Sequence, residues 1–258
     1  MSFNITMGRM FILLFFLSVT IPMNVKGEDT LSVCADIWMP FNGDPKSSTP
    51  GFMVEVIKKI YAEFDVKIDY RLMPWARAIK EVRTGSCIAL IGAYKGDAPD
   101  FIFPQEYFSL GTDGFFVLSK KSDWQYQGID SLKGMKLGCI LDYSYGEEVN
   151  EYIKSYPKQV DCIGGIDPLL QNISKLSAGR IDILVEDIAV FNWILDEKDM
   201  TGKIVLAGTG QKKMPLYIAF SPKAMRSNIF ATFFDRGMRK LSKSGDLAAL
   251  KKKYKITQ

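Results

Sequence analysis

The chain has 258 residues, with 33 lysines and arginines against 29 aspartates and glutamates, and it contains no histidine. Without imidazole, Ser-His-Asp and Cys-His nucleophile activation and the usual catalytic zinc sites are excluded. A formal charge of +4, with basic and acidic residues interspersed, implies no nucleic-acid or membrane-surface partner.

Arg9 precedes a nearly unbroken apolar run over residues 10–21, followed by Pro22 and the small-residue site Val25-Lys26-Gly27. A basic start, a short apolar stretch and a terminal small residue read as a secretory signal, residues 1–27. The run is shorter than the ~20 residues of a membrane-spanning helix, the alternative reading. Cys34 does not suit lipid attachment, because Val33 is bulky and Lys26, Glu28 and Asp29 separate it from the apolar run. The mature chain is expected to be a free periplasmic protein.

Residues 31–35 read as a short strand ending in the loop Asp36-Ile37-Trp38-Met39-Pro40-Phe41. Phe52, Met53, Val56, Ile57, Ile60 and Phe64 then recur at helical spacing, with charged residues on the other face. Residues 66–71 alternate as a strand, and a helix opens at Pro74 and closes at Gly85. Residues 87–91 form a continuous apolar run, as a strand buried on both faces would. Strand–helix–strand–helix–strand predicts a parallel sheet flanked by helices.

A second such unit begins at residue 115, with strands at 115–118, 136–141, 160–163 and 181–185. Helices follow from residue 147, from Pro168 behind a capping Asp167 to Gly179, and after Glu186-Asp187. Strands at 204–207 and 216–220 and helices at 224–242 and 246–254 complete the chain. No linker composition separates the halves, so strands crossing between them are expected.

Four cysteines in an exported chain permit disulfides. Cys34 and Cys87 fall in the first half, Cys139 and Cys162 in the second, each pair on strands of one expected sheet. Within-half bridges and buried thiols are both open. Lacking histidine or a Cys-x-x-Cys spacing, the four are poor nucleophiles or metal ligands.

The order of short motifs resembles a known family. These are Leu31-Ser-Val-Cys-Ala-Asp36 with Pro40-Phe41, Gly51-Phe-Met-Val-Glu55, Pro74-Trp-Ala-Arg-Ala78 and Phe103-Pro-Gln-Glu-Tyr107-Phe108. Asp130-Ser-Leu-Lys-Gly134, Leu176-Ser-Ala-Gly-Arg-Ile-Asp182 and Gly245-Asp-Leu-Ala-Ala-Leu-Lys-Lys-Lys-Tyr254 follow. Together they resemble the bacterial extracellular solute-binding proteins of family 3, the polar amino-acid receptors of ABC transporters. The resemblance implies a periplasmic-binding-protein-like type II α/β fold of two lobes. The first would be discontinuous, 28–113 with 216–258, and the second, 114–215, inserted. A cleft between them would close on a small polar, amino-acid-like ligand, without a cofactor, and a monomer would deliver it to an inner-membrane ABC permease.

By the same resemblance, ligand contacts would come from the ends of four strands, where open α/β sheets bind ligands. Asp36, Trp38 and Phe41 follow the first strand, and Trp75, at the start of the helix opened by Pro74, is a further candidate. Ala93, Tyr94 and Lys95 follow the third, where the family commonly places an arginine that grips a ligand carboxylate. This chain has no arginine between Arg83 and Arg180, which leaves Arg77 or Lys95 as replacements. Tyr143, Ser144 and Tyr145 precede a helix N-terminus suited to an anion, and Asp187 would take a ligand ammonium, with Glu186 turned away. Alternatives are a periplasmic enzyme similar to cyclohexadienyl dehydratase, with Asp36 or Asp187 as general acid, or a receptor serving a sensor kinase.

Overall fold

The computed structural model describes residues 29–210 and 212–256. The expected export signal, residues 1–27, lies outside the described residues. Among the described residues no helix is long and apolar enough to cross a membrane.

The first half lays down β1 (Asp29–Ala35), α1 (Phe52–Ala62), β2 (Val66–Leu72), α2 (Trp75–Thr84) and β3 (Ala89–Ala93). β1 pairs in parallel with β2 and β3, and its Leu31, Val33, Cys34 and Ala35 are fully buried between helix layers. α1 buries Phe52, Met53, Val56, Ile57 and Ile60 against that sheet, the stripe its spacing dictates. α2 stops at Gly85, whose φ of 86° is a left-handed cap that costs glycine nothing.

Beyond β4 (Ser109–Gly111) the chain leaves this sheet, and β5 (Asp113–Leu118) opens a second one with only Thr112 between them. There follow β6 (Leu137–Ile140), α3 (Glu147–Ser155), β7 (Val160–Ile163), α4 (Pro168–Ser177), β8 (Ile183–Asp187), α5 (Ile188–Glu197) and β9 (Ile204–Thr209). The chain then returns through β10 (Met214–Phe220) to the first sheet, and α6 (Ser227–Ser244) and α7 (Asp246–Lys253) pack beneath it.

Both sheets have five strands, in the orders β2-β1-β3-β10-β4 and β7-β6-β8-β5-β9. The expectation of a purely parallel sheet holds only for the three strands of each sheet joined by helices. β4, β10, β5 and β9 run antiparallel to their neighbours. They flank the crossings between sheets, and a chain that passes over and returns enters each sheet from the opposite end.

The structure pairs Cys34 with Cys87 and Cys139 with Cys162, with Cα–Cα distances of 6.4 and 4.3 Å. Cys139 and Cys162 stand directly opposite each other in the β6–β7 ladder. Cys87 sits just upstream of β3 rather than on it, facing Cys34 of β1.

Candidate functional site

The two sheets meet where the loops after β1 and β3 face the loop after β6 and the end of β8. Trp38 and Phe41, in the loop after β1, pack with ring centroids 4.8 Å apart. Tyr143 of the other half meets Trp38 edge-on at 6.3 Å and Trp75 at 5.6 Å. An aromatic wall from both halves therefore lines the cleft, shielding whatever polar contacts form inside it.

Four hydrogen bonds cross that wall. The Trp38 indole Nε1 donates to Glu186 Oε1 at 2.9 Å, and Trp75 Nε1 donates to the Asp142 carbonyl at 3.0 Å. The Tyr143 hydroxyl donates to Asp36 Oδ2. The Ser144 backbone N–H donates to Asp97 Oδ1 at 2.7 Å, while Asp97 Oδ2 accepts from the Tyr94 backbone N–H at 2.7 Å. The halves are closed on one another around a cavity of about 10 Å³ touched by Asp36, Trp38, Trp75, Tyr94, Tyr143 and Ser144. A larger cavity of about 740 Å³ adjoins it, sharing Tyr94 and Ser144 and reaching Lys95 at the rim.

The electrostatics of this cleft are one-sided. Burial pushes Asp36 up to about 7, although the Tyr143 hydroxyl and a backbone N–H pull the other way. Burial likewise takes Glu186 to about 8, against the opposing bonds from Trp38 and the Asp187 backbone. Asp113 rises to about 8 through burial and the neighbouring Asp187. Asp187 reaches about 6, burial being offset by backbone N–H groups of Thr112, Val190 and Ala189. Asp97 is also held well above the ordinary carboxylate range by burial. Each shift expresses the cost of keeping a charge in a dry site without a partner of opposite sign.

Several residues singled out in the sequence come together here: Asp36, Trp38, Trp75, Tyr94, Tyr143 and Ser144 touch one cavity. Ala93 is buried at the end of β3, and Phe41 supports Trp38 from the core. Tyr145 turns inward, its hydroxyl accepting from the Ile140 backbone N–H at 2.8 Å. Lys95 lies at the rim, its Nζ 5.2 Å from the Tyr217 ring centroid.

Arg77 is elsewhere. Its side chain is 67% exposed on α2 and pairs with Glu81 one turn along, Nε to Oε1 at 3.5 Å. The first turn of α2 presents Trp75 to the cleft, and a residue two positions on points roughly opposite.

Asp187 caps a helix, and Glu186 does not turn away as expected. β8 runs two residues beyond the apolar run because it pairs with β5 as far as Asp113 opposite Asp187. Asp187 thereby becomes the N-cap of α5, accepting from Ala189 and Val190 through Oδ1 and from Thr112 through Oδ2. Glu186, expected to turn away, is the carboxyl that meets Trp38. An aspartate directly ahead of a helix is a capping signal that the sequence carries. Asp97 bonds across to Ser144 and Asp113 lies opposite Asp187 within the second sheet, and nothing in the local pattern of either marks it as a cleft residue.

Comparisons with known proteins fit this geometry. The family model described as bacterial extracellular solute-binding proteins, family 3, matches residues 31–257. The Bacillus subtilis (strain 168) protein described as probable amino-acid-binding protein YxeM is 20% identical over 229 residues, spanning 83% of this chain and 79% of that protein. A histidine kinase sensor domain with similarity to periplasmic binding proteins superposes with a TM-score of 0.74 at 19% identity, over 87% of this chain and 95% of that one. The Streptococcus pneumoniae ABC transporter substrate-binding protein AbpA, bound to L-arginine, gives 0.71 at 17% identity, over 89% and 96%. The two structures share the fold, two α/β lobes about a cleft. Because the family model spans nearly all of the described chain, the protein belongs to the bacterial extracellular solute-binding proteins, family 3.

Proposed function

We propose that the protein is a periplasmic receptor that captures a small polar, amino-acid-like solute and delivers it, as a monomer, to an inner-membrane ABC permease. The observation that carries this reading is the convergence of aromatic rings and hydrogen-bonding groups from both halves on one cleft. The moving bodies are the two sheets with their helices, residues 29–111 with 214–256 and residues 113–209. The short crossings at Thr112 and between β9 and β10 act as the hinge. A solute that binds both faces shifts the population toward the closed form, which a permease can recognise. The names of YxeM and AbpA support an amino-acid-like solute. A binder rather than an enzyme is favoured, since Asp36, Glu186 and Asp97 each accept an aromatic or backbone donor from the opposite lobe.

The test is a thermal-shift screen of the mature protein against amino acids, amines, organic acids and small sugars, with solution scattering on any hit. A receptor shows a stoichiometric rise in Tm and a smaller radius of gyration, with the compound recovered unchanged. Turnover of a hit would favour the enzyme, and no hit in any class would sink the receptor reading.

A further inference from the structure

We propose that Asp97 is a built-in latch whose carboxyl joins the two lobes and populates the closed form before any solute arrives. This rests on the hinged lobes of the receptor reading and adds to it what holds them together without a solute.

The latch belongs to the loop after β3. Asp97 and Tyr94 close a turn on each other: the Asp97 backbone N–H donates to the Tyr94 carbonyl at 3.1 Å, and Asp97 Oδ2 accepts from the Tyr94 backbone N–H at 2.7 Å. The second bond fixes the carboxyl with Oδ1 toward the opposite lobe, where it accepts from the Ser144 backbone N–H at 2.7 Å. Gly96 allows this approach, since a Cβ there would lie 2.5 Å from Ser144 Oγ and 3.3 Å from Ser144 Cβ. At its other end the loop reaches the hinge. The Tyr94 hydroxyl lies against Gly111, the last residue of β4, so closely that no side chain would fit there. One short loop therefore connects the crossing between the sheets to the partner lobe.

The receiving side is equally fixed. Ser144 is 7% exposed in the turn ahead of α3, and its Oγ accepts from Asn150 Nδ2 at 2.9 Å. The next backbone N–H, of Tyr145, donates to Asn150 Oδ1 at 2.9 Å. Donor and acceptor are each held by their own lobe, so bringing them together costs little ordering entropy. The dipole of α3 adds partial positive charge at this end of the helix. Burial raises the Asp97 carboxyl and the two N–H groups lower it; with or without a proton it keeps an oxygen that can accept from Ser144. The closed cavity lined by Asp97 and Ser144 is about 10 Å³, so a solute enters only when their bond parts. Solute binding then draws the open fraction closed, shifting a balance that Asp97 has already set.

Residue-resolved amide hydrogen exchange on the mature protein without added solute tests the latch. The Ser144 amide should be protected in the parent and should exchange about tenfold faster or more in Asp97→Asn, the factor set by loss of one hydrogen bond to a carboxyl. Asparagine keeps an oxygen for the local bond to Tyr94 and turns its NH2 toward the Ser144 N–H, donor against donor. Gly96→Ala should act by a second route. Gly96 does not sit at a positive φ, and the added methyl meets Ser144 only when the lobes are closed. The Tyr145 amide, bonded within its own lobe, should keep its rate in both variants. Solution scattering should show a larger radius of gyration for both variants than for the parent. An unprotected Ser144 amide in the parent overturns the proposal, as does an Asp97→Asn rate within about twofold of the parent's. If Asp97→Asn does not fold, Gly96→Ala is held to the same threshold. A parallel rise at Tyr145 in both variants also overturns it, because the contact would then belong to folding rather than to closure. The receptor reading stands or falls separately, by the solute screen.

Discussion

At the end of β8, Asp187 accepts three backbone N–H groups, two in the first turn of α5 and one from Thr112 at the crossing between sheets. Asp187→Ala should therefore act first on folding. Loss of the cap should lower stability by about 0.5–2 kcal/mol, read from the urea midpoint. Arg77 is the contrasting case. Its exposed partnership with Glu81 contributes little in water, so Arg77→Ala should leave stability within about 0.5 kcal/mol and solute affinity within about a factor of two. A large loss of affinity would return Arg77 to the binding site. Both residues look alike as candidates in the sequence, a charged side chain near an expected strand end. They differ because one carboxyl is folded back onto its own helix start and one guanidinium faces solvent.

The elements owe their positions to close approaches as much as to apolar stripes. α6 crosses α1 at Gly237, where an added Cβ would lie 2.5 Å from Ile60 Cγ2 and 3.0 Å from Ile60 Cβ. Those atoms belong to a branched side chain that is fully buried. Gly237→Ala gains about 1 kcal/mol in helix propensity but overpacks the core, which costs typically ~1–3 kcal/mol. A net fall in melting temperature is expected, and a rise would show that the α1–α6 contact yields. Helices α1 and α4 were legible in advance because their 3.6-residue stripes meet a sheet whatever lies beyond it. The extension of β8 to Asp187 was not, since the length of a strand depends on where its partner, β5, begins.

For the whole molecule, the closed cleft makes stability depend on pH. Asp36 and Glu186 face Tyr94 and Asp97 from the first half and Asp113, Tyr143, Tyr145 and Asp187 from the second, with Lys95 at the rim. Their folded pKa values lie above the ordinary values of 3.8 and 4.5, at about 7 and about 8. Raised values mean the native state holds protons that the unfolded chain releases. The resulting stabilisation is complete below the unfolded pKa values and is lost as pH rises through about 8. The protein without added solute should melt higher at about pH 5.5 than at about pH 8.5. The carboxyls that folding depresses, Glu55, Asp100, Asp130 and Asp182, titrate below that window and do not oppose the trend. A flat or rising profile would mean the cleft carboxyls are hydrated in solution.

Local order alone set the two α/β units, the stripes of α1 and α4, the glycine stop of α2 and the aromatic content of the loop after β1. Periodicity and capping act over a few residues, so a single chain displays them. Tertiary structure alone decided that Glu186 rather than Asp187 meets Trp38, that Asp97 occupies the Ser144 N–H, and that Arg77 faces water. Each of those outcomes depends on the side chain arriving from the opposite lobe. Residues 107 or 148 positions apart touch only after two separately built sheets have closed on each other.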